Sequence, residues 1–268
     1  MSIELVSNEG VPTRPEWIKA LKYWRFLVQP WKYFGDELGI FLALGGPGFG
    51  RTYLAIRHEP EVERLYEQRP DIRALLSDDT FLASLPSGSV GHAYRDFLRQ
   101  HRLDAGVFNE TSTVIPVAEH LGYGEDFTFL LKRGVVLHDM YHTLGGYGPD
   151  LGGEFGNIGF HYGQMTGGNG FLRAMGLMFT YLVPLGVPIR RRKQYWAEAV
   201  ERGRRARNIF ASPIEQLLDQ PLDQVRAHLN IAPANIAHPN GHIYAPIPKL
   251  GKRTSSEQAQ HPWIYQPT

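Results

Sequence analysis

The chain has 268 residues, of which 43% are hydrophobic and 21% are charged, proportions typical of a globular protein with a sizeable core. It contains no cysteine, which excludes disulfide bonds, thiolate nucleophiles and iron–sulfur clusters. A formal net charge of +1 provides no overall electrostatic field that would attract nucleic acid, so we expect no nucleic-acid partner. The chain contains 11 histidines, and their positions are the main evidence for a functional site.

The hydrophobic pattern predicts a mainly α fold. An amphipathic helix is expected over residues 15–29, with Trp17 and Leu21 on its apolar face. Strand signals are weak throughout. From residue 232 onward, six prolines without periodicity predict a coil, so we expect one multi-helix domain over residues 1–231 and a Pro-rich tail over 232–268. The other predicted helices cover residues 59–68, 71–76, 91–100, 126–144, 154–164, 172–182, 192–210 and 221–229.

Two apolar stretches, residues 38–50 and 174–189, raise the question of a membrane span. The first is shorter than the roughly 20 residues that a spanning helix needs, and two prolines interrupt the second. Neither is predicted to cross a bilayer, although each could contact one. Glu4 and Glu9 also argue against an N-terminal signal or transit peptide.

Three candidate metal ligands fall within five residues of the predicted helix 126–144. At 100° per residue, the side chains of His138, Asp139 and His142 project within one arc of about 100°. A short glycine-containing loop follows, of a length that makes two helices antiparallel neighbours. Glu154 on the next helix could then close over the two imidazoles. Such a set suits zinc, iron(II), manganese or cobalt, and the ligands alone do not choose among them.

A single histidine of this kind is more often a hydrogen-bonded core residue than a ligand. Three candidates clustered in an apolar helix favour metal binding, because charged and imidazole groups are costly to bury unless they have partners. His161 lies seven residues after Glu154, on nearly the same helix face. It is a candidate for a further ligand, a proton donor or a supporting residue.

The spacing His138-Asp139-x-x-His142, followed after eleven residues by Glu154, resembles the metal-binding signature of the coenzyme Q (ubiquinone) biosynthesis protein four family. Three further segments resemble, in order, the family's upstream turn and helix, its downstream basic helix and its closing helix: residues 85–98, 196–206 and 218–231. The resemblance runs from about residue 70 to residue 231.

The resemblance implies a mainly helical, membrane-associated protein of ubiquinone biosynthesis that binds a divalent metal, most often zinc, through those four side chains. It implies removal of the ring carboxylate from a polyprenyl hydroxybenzoate, with or without oxidation at the same carbon. A nearby acid would protonate the ring carbon, and His161 and Tyr141 are the candidates.

The implied partners are a prenylated aromatic or isoprenoid lipid substrate, an anionic membrane surface and other quinone-biosynthesis enzymes. We also expect a homo-oligomer, and a peripheral position on the cytoplasmic face of a bacterial inner membrane.

The helix after Glu154 departs from the family pattern. The family usually has a lysine four residues on and an acid seven residues on, where this chain has Ile158 and His161. Glycines at this spacing let another backbone or a flat ligand approach closely, so we expect a wider or flatter pocket, for a different quinone precursor or an isoprenoid. The glycines on this segment are Gly153, Gly156, Gly159 and Gly163.

Two other enzyme classes have partial signals. Residues 45–52 fit a phosphate-loop pattern except that Arg51 replaces the lysine, so we interpret the segment as a helix-to-helix turn. The adjacent His-Asp pair is also typical of HD-type metal phosphohydrolases, which need another histidine and a later aspartate. The candidates for these are His101, His120 and Asp150.

A non-catalytic alternative is a prenyl-lipid-binding scaffold that organises quinone-biosynthesis enzymes. The apolar stretch 167–186 would line a prenyl tunnel in either case, and two basic clusters flank it as an anionic leaflet would require. Tryptophans at positions 17, 24 and 31 are candidate interface anchors, although such a stripe is more often a core or dimer contact. The basic clusters are Arg190, Arg191, Arg192 and Lys193, then Arg202, Arg204, Arg205 and Arg207.

Overall fold

The computed structural model describes residues 10–23, 34–103, 105, 114–183, 185 and 187–232, with residues 34–38 described by their backbone alone. These ranges are mainly helical and contain no strand, as predicted. The helices are α1 (Trp17–Ala20), α2 (Phe34–Ile56), α3 (Pro60–Gln68), α4 (Ile72–Ser77), α5 (Asp79–Ser84), α6 (Val90–His101), α7 (Val114–Leu121), α8 (Glu125–Val136), α9 (His138–Gly145), α10 (Leu151–Gln164), α11 (Gly170–Tyr181), α12 (Ile189–Arg205) and α13 (Leu222–His228).

The predicted N-terminal helix over residues 15–29 is only partly present. After α1 the chain tightens into a 3₁₀ turn and then leaves the described residues at 24–33, which hold two of the three tryptophans. Trp17 and Leu21 are 68% and 67% exposed, so this apolar face is not buried in the core. Apart from Ala232, the tail predicted over 232–268 also lies outside the described residues.

The glycine-rich segment 45–52 lies inside α2, so the expectation of a helix-to-helix turn there is wrong. Pro47 has no N–H and leaves the carbonyl of Ala43 without its helical donor. The N–H of Glu16 donates to that carbonyl instead, at 2.9 Å. The Asn169 side-chain amide donates to the carbonyl of Gly45, also at 2.9 Å. Contacts from distant parts of the chain therefore keep this weak helical sequence in a helix.

The single helix predicted over residues 126–144 is in fact two helices. α8 ends one residue before Leu137, whose backbone has φ −81° and ψ 4°, and α9 begins one residue after it. A glycine and two β-branched valines at 134–136 weaken the helix at this point. The break places His138 at the start, and His142 in the last turn, of a short helix of their own.

Most of the remaining predictions are confirmed to within three residues at each end. The exception is the helix predicted over 192–210, because α12 begins at Ile189 and ends at Arg205. Beyond it Ala206 is extended, and the N–H of Arg207 donates to the carbonyl of Leu229 at 2.8 Å. α2, α5 and α7 are absent from the sequence prediction.

α10 and α12 pack backbone against backbone along the predicted row of glycines. A Cβ on Gly163 would lie 2.2 Å from the carbonyl oxygen of Val200, and one on Gly203 would lie 2.0 Å from that of Phe160. Protein atoms also fill the space beside the other glycines of the segment 153–163. These glycines admit a neighbouring helix and loop rather than a flat ligand, so the inference of a wider pocket from them is wrong.

Within the described ranges, none of the helices has both the length and the apolar character that crossing a bilayer requires. The apolar stretch 174–189 does not form one helix, because α11 ends at Tyr181 and α12 begins at Ile189.

Candidate metal centre

Three side chains that suit a metal ion converge between α9 and α10. His138 and His142 lie one turn apart on α9, and Glu154 lies on the first turn of α10. The Glu154 carboxylate is 3.7 Å from His138 Nε2 and 3.3 Å from His142 Nε2. One donor atom from each residue lies within 4.8 Å of the other two, so this group could hold a metal ion.

The loop between the two helices sets this approach. α9 is terminated by the next residue, Gly146, whose φ of 72° is left-handed and therefore favours glycine. Asp150 caps the N-terminus of α10, and its carboxylate accepts hydrogen bonds from the N–H groups of Gly152 and Gly153 at 2.8 and 3.1 Å. This cap fixes the first turn of α10 and with it the backbone of Glu154.

Asp139 contacts the other nitrogen of His138. Its Oδ1 is 3.2 Å from His138 Nδ1, and the side chain is 12% exposed. A carboxylate in this position favours the tautomer in which Nε2 is free to bind a metal. Direct metal ligation by Asp139, the fourth ligand of the sequence analysis, stays a prediction.

Two half-buried carboxylates, those of Asp139 and Glu154, change the protonation of the group in the metal-free protein. Burial opposes protonation of His138, but Asp139 and Glu154 outweigh it and raise its pKa to about 10. The pKa of Glu154 is lowered: burial opposes this shift, and the two histidines more than compensate. In the metal-free protein a protonated His138 is therefore paired with the Glu154 carboxylate. A cation that binds His138 must displace this proton.

His142 is the buried member of the group. Its side chain is 1% exposed, and its ring stacks on that of Phe97, with centroids 5.8 Å apart. Nδ1 lies 3.3 Å from the main-chain oxygen of Tyr147, whereas the buried Nε2 has no hydrogen-bond partner in the described part of the chain. Leaving a buried nitrogen unsatisfied is costly. Two imidazoles and a carboxylate are ligands that divalent transition metals accept, so these residues fit such an ion.

The two predicted proton donors stack on each other beside the group. The rings of Tyr141 and His161 are 3.7 Å apart and 23° from parallel. Burial, reinforced by the nearby histidines, lowers the pKa of His161 to about 3, so its imidazole is neutral at pH 7. Burial raises the pKa of Tyr141, and its hydroxyl donates to Gln164 Oε1 at 2.9 Å.

The residues considered for an HD-type phosphohydrolase do not join the metal group. His120 is exposed, and the carboxylate of Asp150 caps α10. His101 is buried at the end of α6, where its ring packs on Phe97. The group that could hold a metal consists of the two α9 histidines and Glu154.

The two basic clusters include buried arginines. Arg192 is 9% and Arg202 is 5% exposed, so neither belongs to a solvent-facing basic surface, contrary to the sequence-based interpretation. Arg190, Arg191 and Lys193 are exposed as expected. Buried and exposed arginines alternate within these clusters, and no local feature of the sequence distinguishes the two kinds.

Comparison with known proteins bears directly on the group. The family model for the coenzyme Q (ubiquinone) biosynthesis protein Coq4 matches residues 45–235, more than half of the chain. The chain belongs to the Coq4 family. The match spans α9 and α10 and so contains the whole metal group, and it confirms the resemblance noted from the sequence.

Several curated relatives carry the same family name. The mitochondrial ubiquinone biosynthesis protein COQ4 homolog of Mus musculus is 30% identical over 186 residues, which cover 66% of this chain and 63% of the relative. That of Danio rerio is 28% identical over 180 residues, covering 66% and 61%. The chain thus spans slightly less than two thirds of the length of these relatives.

A solved structure shares the fold. The crystal structure of a Nostoc punctiforme protein described as a ubiquinone biosynthesis protein superposes with a TM-score of 0.57 at 21% sequence identity. The superposition covers 81% of this chain and 99% of that one.

Proposed function

We propose that this member of the Coq4 family is a metal-dependent enzyme that removes the ring carboxylate of a polyprenyl hydroxybenzoate. The observation that carries the proposal is the group of His138, His142 and Glu154, in which the buried Nε2 of His142 faces the Glu154 carboxylate but makes no hydrogen bond. Membership of a ubiquinone-biosynthesis family supplies the substrate class.

The three side chains would hold a divalent ion, with zinc first and iron, manganese or cobalt as alternatives. Such an ion supplies a Lewis acid that binds a carboxylate or phenolic oxygen. Asp139 would orient His138 or, as the sequence predicts, bind the ion itself. The ligand set is compatible with either a simple or an oxidative course of reaction.

In simple decarboxylation the bond between the ring carbon and the carboxylate breaks, carbon dioxide leaves, and the ring carbon takes a proton. His161 is the better-placed of the two proposed donors, because its neutral imidazole adjoins the metal group. It would give its N–H proton to the ring carbon and regain one at the other nitrogen. Tyr141, whose hydroxyl already donates to Gln164, would hold the His161 ring by stacking.

The end of α11 and the start of α12 would contact the membrane. Leu177, Leu182 and Ile189 are 52%, 77% and 45% exposed, and the exposed Arg190 and Arg191 follow directly. An apolar patch beside cations suits an anionic leaflet. A position on the cytoplasmic face of a bacterial inner membrane, self-association and contacts with other quinone-biosynthesis enzymes belong to the same proposal.

The test is incubation of metal-loaded protein with a prenylated 4-hydroxybenzoate, followed by mass spectrometry. We expect loss of carbon dioxide with the wild type, none with Glu154→Ala, and wild-type turnover with Glu201→Ala, a matched change on the surface of α12. Turnover that survives Glu154→Ala would refute the assigned site.

The exposed apolar patch also suits a second candidate, a prenyl-lipid-binding scaffold without catalysis. The same experiment separates the two, because a scaffold binds the prenyl lipid tightly in the wild type and in Glu154→Ala without turnover in either. Metal analysis that finds no bound cation in the wild type would contradict the metal site of both.

A further inference from the structure

Two arginines from distant helices bind the C-terminal end of the ligand helix α9. The last carbonyls of a helix lack helical donors and need other partners. That of His142 accepts from the N–H of Gly146 at 2.8 Å. The carbonyls of residues 143–145 accept from guanidinium groups instead: Arg226 donates to the first two at 3.0 Å each, and Arg202 donates to the third at 2.7 Å. Side chains thus satisfy every carbonyl that the turn leaves unpaired.

Arg202 also holds the residue that follows this turn. Its Nη1 donates to the hydroxyl of Tyr147 at 2.5 Å, and its guanidinium carbon lies 5.0 Å from the centre of the Tyr147 ring. Its Nε donates to the carbonyl of Ala232 at 2.8 Å. All three nitrogens of the guanidinium are therefore used, and Tyr147 is held at its ring and its hydroxyl.

Tyr147 connects this arrangement to the metal group. Its main-chain oxygen lies 3.3 Å from His142 Nδ1, and its N–H donates to the His142 carbonyl at 3.1 Å. A proton on Nδ1, donated to that oxygen, leaves the lone pair on Nε2, the nitrogen beside Glu154. The position of Tyr147 therefore controls both the tautomer and the direction of the His142 ring.

Helix termination alone does not require two cations here. Gly146 already ends the helix with a left-handed turn, and placing a buried and a half-buried guanidinium group at one helix end is costly. The negative end of the α9 dipole and its carbonyls offset that cost. The gain is a short helix whose position is fixed from α12 and α13 at once.

We propose that Arg202 and Arg226 are positioning residues of the metal site, which hold α9 and, through Tyr147, present His142 Nε2 to the metal. The proposal rests on the proposed metal site. Arg202→Lys keeps the charge but loses the planar set of donors, so it isolates the geometry.

Arg192 offers a matched control. It is a buried arginine of the same helix. It donates to the carbonyls of Phe179 and Thr180 at the end of α11 and to those of Val183 and Val187 in the segment that follows, and to none in α9. Arg192→Lys therefore makes the same chemical change with a similar structural cost.

The experiment measures zinc affinity by chelator competition, the Co²⁺ absorption spectrum, and the melting temperature of the metal-free protein. We expect Arg202→Lys to lower zinc affinity about 10–100-fold and to alter the Co²⁺ spectrum. We expect Arg192→Lys to leave both unchanged, although it lowers the melting temperature comparably. Equal metal binding by the two variants would overturn the proposal while leaving the metal site intact.

Tyr147→Phe serves if Arg202→Lys does not fold, because it removes only the hydroxyl that Arg202 binds. We expect a smaller loss of zinc affinity in this variant, and unchanged affinity would overturn the link from Arg202 through Tyr147. A wild-type protein that binds neither metal would overturn the proposed metal site, and this inference with it.

Discussion

Replacing Gly163 by alanine tests the backbone contact that joins α10 to α12. The new Cβ would lie 2.2 Å from the carbonyl oxygen of Val200 and 2.8 Å from the nitrogen of Arg204, whereas real Cβ contacts essentially never fall below 3.0 Å. Both atoms belong to the backbone, so no change of rotamer relieves the clash. The two helices must separate by close to 1 Å.

Two opposing effects set the size of the change. Alanine stabilises a helix interior by up to about 1 kcal/mol relative to glycine. Overpacking of a close contact costs typically about 1–3 kcal/mol and sometimes more, and the separation also weakens neighbouring packing. Because the obstacle is backbone on both sides, we expect the upper part of that range, for a net loss of about 2 kcal/mol. In a chain of this size that corresponds to a decrease of roughly 4–8 °C in melting temperature.

The assay is urea unfolding of the metal-free protein, with Gly134→Ala in the last turn of α8 as the control. The nearest atom to a Cβ on Gly134 is 4.0 Å away, so the same substitution there gains helix propensity without a clash. We expect Gly134→Ala to stabilise by about 0.5–1 kcal/mol. If Gly163→Ala is equally stabilising, the close approach of α10 and α12 is refuted.

Three further predictions concern charge. Burial lowers the pKa of His161 to about 3. Between about pH 3 and 6.5 this side chain is therefore protonated in the unfolded protein but not in the folded protein. Acidification in that window destabilises the protein by up to about 1.4 kcal/mol per pH unit. His161→Gln should flatten the unfolding free energy between pH 6.5 and 5, and an unchanged slope would contradict the shift. Arg133, 2% exposed, is bonded to Glu215, so Arg133→Met should cost about 3–5 kcal/mol in urea unfolding, and a loss below about 1 kcal/mol would contradict the pairing. Replacing Arg190 and Arg191 by glutamate should weaken binding to phosphatidylserine-containing vesicles by about 2 kcal/mol or more, which is roughly 30-fold. Binding to vesicles of phosphatidylcholine alone should not change. Equal binding of the wild type to both kinds of vesicle would argue against the proposed surface.

Much of the secondary structure and the metal group could be predicted because their signals are local. Helical periodicity identified most of the helices, and the ligand spacing in α9 together with Glu154 located the group before any contact was known. The break at Leu137 was missed because low propensity at residues 134–136 lowers the stability of a helix without deciding where it ends. The helical state of residues 45–52 was missed for the complementary reason, since donors from Glu16 and Asn169 stabilise it.

The sequence by itself determines the residue types and the spacing of the ligands, since a single helical turn sets the distance between His138 and His142. Which arginine is buried and which glycine meets a backbone depend on segments far apart in sequence. Arg202 and Arg190 are the same residue type in one helix, yet Arg202 binds the end of α9 and Arg190 faces solvent. Local patterns therefore identify the chemistry of the site, whereas only the tertiary structure brings Arg202 of α12 and Arg226 of α13 to the end of α9.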